Sequence, residues 1–419
     1  MRRKQRLLGL MMVLILSIGA MAGCAKKATV ETPSAPVTTP DKDKAAKDVV
    51  EPTADPVTLE LDIQAQDDGQ KLQTYAATGN LPDIFQVGLQ QIETFKKSGN
   101  IMILNDIAKS TGFEDKVHEG AKSILYNEDG NIYAFPYAGN ELVVWYYNKA
   151  LFEEHNLEVP KTYDDLLNVI EVFKANDIIP MSLFAKEKWI TAALYDAVAT
   201  RYNKGGIDAL DKGEAKASDE DYIAATNKLH ELVKAGLLPD GATNLNYDQA
   251  ALFYEGKAAM FLNGQWEIEG SAEKLGDNAD WMFYPAPDAE TYEASKTVWA
   301  GGGAPGGYAV NPQSPNKELA AEVAAFISEK YCEAKYALRS NPMLAVEVNV
   351  TPEKPFPAMM QKLADEIPKI TSTTKFVWGL TNPQIKTAIE DHTQFLTISD
   401  YTPEEFTSEL DKVIERIDK

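Results

Sequence analysis

Few side chains in this 419-residue sequence have the types and spacing that covalent or metal chemistry requires. Its four histidines form no metal-ligand cluster, and it contains no Gly-x-Ser-x-Gly elbow, no His-Glu-x-x-His helix and no cysteine–histidine pairing. The run Gly301-Gly302-Gly303-Ala304-Pro305-Gly306-Gly307 has the glycines of a phosphate-cradling loop. It lacks a Gly-Lys-Ser/Thr ending and leads into a strand predicted over Tyr308 to Val310 instead of opening a helix, which argues against a nucleotide. The paired carboxylates of a glycoside hydrolase stay open on composition, because 63 acidic residues supply such pairs by chance. No catalytic residue, metal ligand or cofactor is assigned.

The reactive group in the most telling position is the thiol of Cys24. Arg2, Arg3, Lys4 and Arg6 precede an uncharged apolar run, Leu7 to Gly23, which is the layout of a secretory signal. A membrane-spanning anchor is the alternative, since seventeen residues sit at the lower edge of what crosses a hydrocarbon core. The ending Met21-Ala22-Gly23-Cys24 resembles a bacterial lipobox, with Met21 where Leu is usual. That resemblance implies acylation of Cys24, removal of residues 1–23 and an anchor of two or three acyl chains. The other cysteine, Cys332, falls in a helical pattern from Lys317 to Leu338 and reads as a buried structural thiol, so no intrachain disulfide is expected.

Loss of residues 1–23 leaves 37 basic against 63 acidic residues, a formal charge of −26. Phosphate backbones repel such a body, so nucleic acid is excluded as a partner, and contact with the membrane is expected through the lipid alone. Residues 25–56 are mainly Thr, Pro, Ala, Lys, Asp and Glu with scattered Val and no aromatics, too polar to order themselves. They read as a tether with an end-to-end distance of about 30 Å.

The elements that must position any site begin after the tether. Val57, Leu59, Leu61 and Ile63 alternate with polar residues, the period of a half-buried strand. A helix follows over 70–78, then a strand at Ile84–Val87 and a helix from Gln90, an order that implies parallel pairing in an α/β sheet. Further strands are predicted at 141–147, 178–184 and 258–262. Helices are expected at 219–235 and after Thr162, where Thr162 and Asp165 have the spacing of a capping box.

Three segments together resemble the extracellular solute-binding proteins of ABC importers, specifically their maltose-binding-like carbohydrate branch. The first is Gly79-Asn80-Leu81-Pro82-Asp83-Ile84-Phe85. The second runs from Tyr133-Ala134-Phe135-Pro136-Tyr137 through Tyr147-Asn148-Lys149 to Val159-Pro160-Lys161-Thr162. The third runs from Phe253-Tyr254-Glu255-Gly256-Lys257-Ala258-Ala259-Met260 through Asn263-Gly264-Gln265-Trp266, with Ser314-Pro315-Asn316-Lys317 downstream. The resemblance covers 57–419 and implies an α/β, two-lobed, type II periplasmic-binding-protein-like fold with ligand in the cleft between lobes. By that analogy lobe one holds 57–140 and 304–346, and lobe two 145–299 and 350–419. The family opens with a strand and a long helix ahead of the first of these segments. Here the tether runs directly into Val57, so that strand and helix are expected to be missing.

A sugar has apolar ring faces and a rim of hydroxyls, so its site needs flat aromatics beside carboxylates or amides. Trp266 matches the family's cleft tryptophan and is expected to be a stacking platform, with core packing as its alternative. Trp189 and Trp378 sit in similar predicted loops and share both readings. Trp281 and Trp145 read as core, and Trp299 as either. Glu141 falls where the family places a hydroxyl-binding carboxylate, with Asn140 beside it at the lobe crossing. Gln86 and Gln90 are polar candidates near the first lobe's strand end. Gly301 and Gly302 are explained by tight backbone approach to ligand where the chain crosses between lobes.

The function that the resemblance implies is a monomeric, lipid-anchored receptor outside a Gram-positive-type membrane. It would capture a sugar or oligosaccharide and deliver it to the importer's permease subunits. A surface glycoside hydrolase, a structural lipoprotein, and a receptor weakened by an N-terminal deletion are the alternatives.

Overall fold

Local sequence rules account for the limits of several elements in the computed structural model, which describes residues 57–62, 69–118, 121–127, 129–303, 306–398 and 400–417. The chain divides into residues 1–65 and a compact unit of residues 66–419. Helix α1 (Gln70–Thr78) stops at Gly79 as expected, and α2 (Leu89–Ser98) follows the first strand. Helix α3 (Tyr163–Ala175) starts at the predicted capping box. Thr162 Oγ1 accepts the Asp165 N–H at 3.1 Å, and the Asp165 carboxylate accepts the Thr162 N–H at 2.9 Å. Its stripe of Leu166, Val169, Ile170 and Phe173 is buried. Helices α4 (Lys188–Ala199), α5 (Glu220–Ala235) and α6 (Lys317–Arg339) complete the set that frames the site. Cys332, in α6, is a buried free thiol.

The strands depart from expectation in pairing more than in position. Strands β1 (Ile84–Val87), β3 (Val143–Asn148), β4 (Ile179–Ser182), β5 (Ala258–Gly264) and β8 (Gly307–Val310) fall in or beside predicted runs. They are joined by β2 (Phe135–Pro136), β6 (Ala279–Met282), β7 (Val298–Trp299) and β9 (Ser372–Thr373). One sheet has the order β1-β8-β2, antiparallel throughout, with Phe85 opposite Ala309 and Phe135 opposite Tyr308. A second has the order β4-β5-β3-β6, in which β4 and β5 are parallel and the other pairs antiparallel. β7 and β9 form a parallel pair. Parallel pairing inferred for β1 from the order of elements is therefore corrected: its sheet neighbour is β8, more than two hundred residues away in sequence. The strand predicted from Val57 is corrected as well, because residues 57–62 form none and Leu61 is 78% exposed. Alternation marks a strand only where a paired edge and a covering layer exist to receive it.

Among the described residues, buried apolar side chains gather in three groups. Two draw on residues between Leu72 and Phe135 and between Ala309 and Val346. The third draws on residues from Leu142 to Ala300, with Met343 and Met359 to Ile414. Trp145, Trp281 and Trp299 all belong to it, and Trp281 also donates its indole N–H to the Met359 carbonyl at 3.0 Å.

Two glycines of the run lie close against other parts of the chain. Gly301 bridges Leu142, and the backbone of Gly302 (φ 135°) lies so close to β9 that a Cβ there would sit 2.4 Å from the Thr374 carbonyl oxygen. Protein packs against these glycines, and only residues without Cβ permit it. Behind them Asp196 of α4, fully buried, accepts the Thr374 hydroxyl and, at 2.9 Å, the Ile207 N–H. Thr374 Oγ1 accepts the Gly301 N–H at 3.0 Å.

Burial pushes the Asp196 carboxyl up to about 7 in spite of these hydrogen bonds, and Asp208 nearby adds to the rise. A carboxyl raised on folding gives stability that is intact below about pH 4 and lost as the pH rises through about 7, a swing on the order of 4 kcal/mol at most. Thermal unfolding of Asp196→Asn beside the parent protein should show the variant gaining relative stability as pH rises from about 4 to about 8. Parallel profiles would show that the carboxyl titrates as if exposed.

Candidate functional site

Distant stretches of sequence line an open cavity of about 510 Å³. The segment entering β3 contributes Tyr137 and Glu141, and α6 contributes Tyr331 and Lys335. The turn leaving β5 contributes Trp266 and Glu267, and the turn Val377–Gly379 contributes Trp378.

Trp266 owes its placement to the residue at the end of β5. A Cβ at Gly264 would lie 2.2 Å from the Trp266 ring, so the glycine is what allows the indole to fold back against the strand end. Its ring centre is 5.6 Å from Phe376, 6.2 Å from Trp378 and 6.0 Å from Trp189. Trp378 stacks on Phe376 at 4.4 Å with an interplanar angle of 11°. The indole N–H of Trp266 donates to Tyr247 Oη at 3.2 Å, and the Tyr247 and Tyr254 hydroxyls both donate to Glu267.

The opposite wall is charged but paired. Glu141 is 8% exposed and lies 3.6 Å from Lys335 Nζ, itself 7% exposed. Burial raises the Glu141 pKa against the opposing pull of Lys335, and burial lowers that of Lys335. Arg339 meets Glu269 at 3.6 Å on the more open side. Burial likewise raises the Tyr137 phenol, whose ring packs edge-on against Tyr331 at 5.4 Å.

Of the candidates read from sequence, Glu141, Trp266 and Trp378 meet at this cavity. Trp189 lies in the first turn of α4, not in a loop, and packs behind the cavity 5.5 Å from Trp378 with its indole N–H on Glu187. Asn140 is exposed beside Glu141 and does not line the wall. Gln86 is half-buried in β1, beside the Tyr137 phenol, and Gln90 is half-buried in the first turn of α2 with its Nε2 lacking a hydrogen-bond partner among the described residues. Gly301 and Gly302 pack on protein, and Cys24 lies outside the described residues. Sequence reading missed Tyr247, Glu267 and Lys335. Glu267 follows the Asn-Gly-Gln-Trp segment directly and could have been flagged by adjacency, whereas the other two are common residue types with no local pattern. Among the described residues no cluster of three or more His, Cys, Asp or Glu is arranged to hold a metal, and no helix is long and apolar enough to cross a membrane.

Comparison with known proteins places this geometry in context. A family model described as bacterial extracellular solute-binding protein matches residues 40–330. The diacetylchitobiose binding protein DasA of Streptomyces coelicolor is 27% identical over 272 residues, 62% of this chain and 60% of that protein. The multiple sugar-binding protein of Streptococcus mutans is 27% identical over 211 residues, 48% of this chain and 49% of that one. The chain thus spans about half the length of the curated relatives it matches. A solved chitin oligosaccharide binding protein shares the two-lobed α/β fold with a TM-score of 0.74 at 24% identity, covering 86% of this chain and 90% of its own.

The Glu141–Lys335 pair is open to direct test. Lys335→Met leaves a lone buried carboxylate and should lower the unfolding free energy in urea by about 3 kcal/mol, while adding Glu141→Gln should restore most of it. Equal losses in the single and double variants would show that the two groups do not stabilise each other.

Proposed function

The chain belongs to the bacterial extracellular solute-binding protein family, and on that premise we propose that it is the carbohydrate receptor of an ABC importer. The observation that carries this reading is the convergence of Trp266 and Trp378 with the Glu141–Lys335 pair on one cavity. Indole faces suit the apolar faces of a pyranose, and a wall of paired carboxylate and ammonium offers both acceptors and donors to its hydroxyls. A volume of about 510 Å³ falls within the range of small-molecule sites. The ligand is bound and released unchanged, and diacetylchitobiose, named for one relative, is the first probe to try.

We assign lobe one to 57–140 and 304–346 and lobe two to 145–299 and 350–419, a division in keeping with the separate apolar groups except at Met343, which packs with the lobe-two group. A ligand touching both lobes favours the closed form, and the closed form docks on the permease subunits. Cys24, acylated after loss of residues 1–23, holds the receptor at the outer membrane face, with residues 25–56 as its tether.

Calorimetry with diacetylchitobiose and a panel of neutral oligosaccharides tests the site. Trp266→Ala and Trp378→Ala should each weaken the binding found by about tenfold, the loss expected when one sugar face leaves an aromatic platform. Cleavage of the sugar, or affinity unchanged in both variants, would sink this reading. Cys24→Ser, expressed in a Gram-positive host, should move the protein from the membrane fraction to the medium. Retention of the variant at the membrane would point to an uncleaved helix instead.

A further inference from the structure

Glu267 stands one residue beyond Trp266 and accepts a tyrosine hydroxyl on each carboxylate oxygen, Tyr247 on Oε1 and Tyr254 on Oε2. Tyr247 in turn accepts the Trp266 indole N–H at 3.2 Å. Chemistry sets the direction of every bond in this chain. An indole N–H can only donate and an ionised carboxylate can only accept, so Tyr247 must turn its single proton toward Glu267 and its lone pair toward Trp266. Tyr254 occupies the second oxygen and keeps the carboxylate from rotating away. Desolvation and the nearby Glu267 charge raise both phenols, so the two hydroxyls keep their protons. On its other side the indole is confined by Gly264, which has no Cβ to displace it, and by Phe376 and Trp378.

We propose that Glu267 is a positioning residue: acting through Tyr247, it holds the Trp266 indole against the cavity, and its influence on ligand affinity passes through Trp266. This rests on the cavity being the carbohydrate site. Glu267 also lines the cavity, so the rival role is direct contact with ligand hydroxyls. The two roles differ in what happens when the indole is absent. A positioning residue then loses its influence, whereas a direct contact retains it.

Two measurements on the whole protein decide between them. In the ligand-free protein, the ¹⁵N-labelled indole resonance of Trp266, assigned by its loss in Trp266→Phe, should shift in Glu267→Gln and exchange with solvent about tenfold faster. The Trp281 indole should not change. Tyr247→Phe, which removes the relay and leaves the carboxylate in place, should reproduce the accelerated exchange. An unmoved Trp266 resonance in Glu267→Gln overturns the proposal, whatever Tyr247→Phe does. Calorimetry with diacetylchitobiose should then show Glu267→Gln weakening binding by about tenfold in the parent background and by less than about twofold in Trp266→Ala. Equal losses in the two backgrounds overturn positioning in favour of direct contact. If the parent protein binds no carbohydrate, the carbohydrate reading alone fails, and the resonance measurement still decides the role of Glu267.

Discussion

Leu142 is held on two sides, by its own hydrogen bonds and by that of its neighbour Val143, at the point where distant stretches of chain come together. On one side its N–H donates to Gln265 Oε1 at 2.7 Å and its carbonyl accepts the Gln265 N–H at 3.1 Å. On the other it bridges Gly301, while the adjacent Val143 N–H donates to the Ala300 carbonyl at 2.9 Å. Backbone groups buried this deeply have to be paired, and here a glutamine side chain completes the ladder where β5 turns away. The turn that carries Trp266 and the run that carries Gly301 to Gly303 are both registered against this one residue. Loss of the pairing would release the aromatic wall and the crossing together.

Every carboxylate at the cavity has a partner, two of them cations. The chain as a whole is strongly acidic, with a formal charge of −22, yet the carboxylates at the cavity are each engaged. Glu141 pairs with Lys335, Glu269 with Arg339, and Glu267 with two tyrosine hydroxyls. Such a wall suits an uncharged ligand rich in hydroxyls better than a free ion, because an ion would have to break an existing pair in a poorly solvated space. The aromatic half works by a different rule. Trp189, Phe376 and Trp378 pack around Trp266, so its indole is held by neighbouring rings.

Helix limits were legible from residue order because capping and termination are local. Thr162 and Asp165 start α3 by bonding each other's N–H, and no distant residue is needed for that. The tryptophans divided less cleanly. A lone indole has the same sequence signature in a core as in a cleft, and Trp189 was read as a loop residue although it opens a buried helix. The Asn-Gly-Gln-Trp segment was more informative because it carries its own geometry: the glycine before Trp266 is required by the indole beside it.

By itself the sequence determined the α/β character, the placement of helices α1, α2, α3, α5 and α6 and of strands β1, β3, β4, β5 and β8, and the burial of Trp145, Trp281 and Cys332. These follow from periodicity, capping and composition, which act over a few residues. Tertiary structure alone decided that β1 pairs with β8, that Leu61 stays exposed, and that Gly302 meets Thr374. It also decided that Lys335, nearly two hundred residues from Glu141, neutralises that carboxylate. Each of these depends on which distant surface arrives opposite a residue, and a local pattern of side chains holds no information about that.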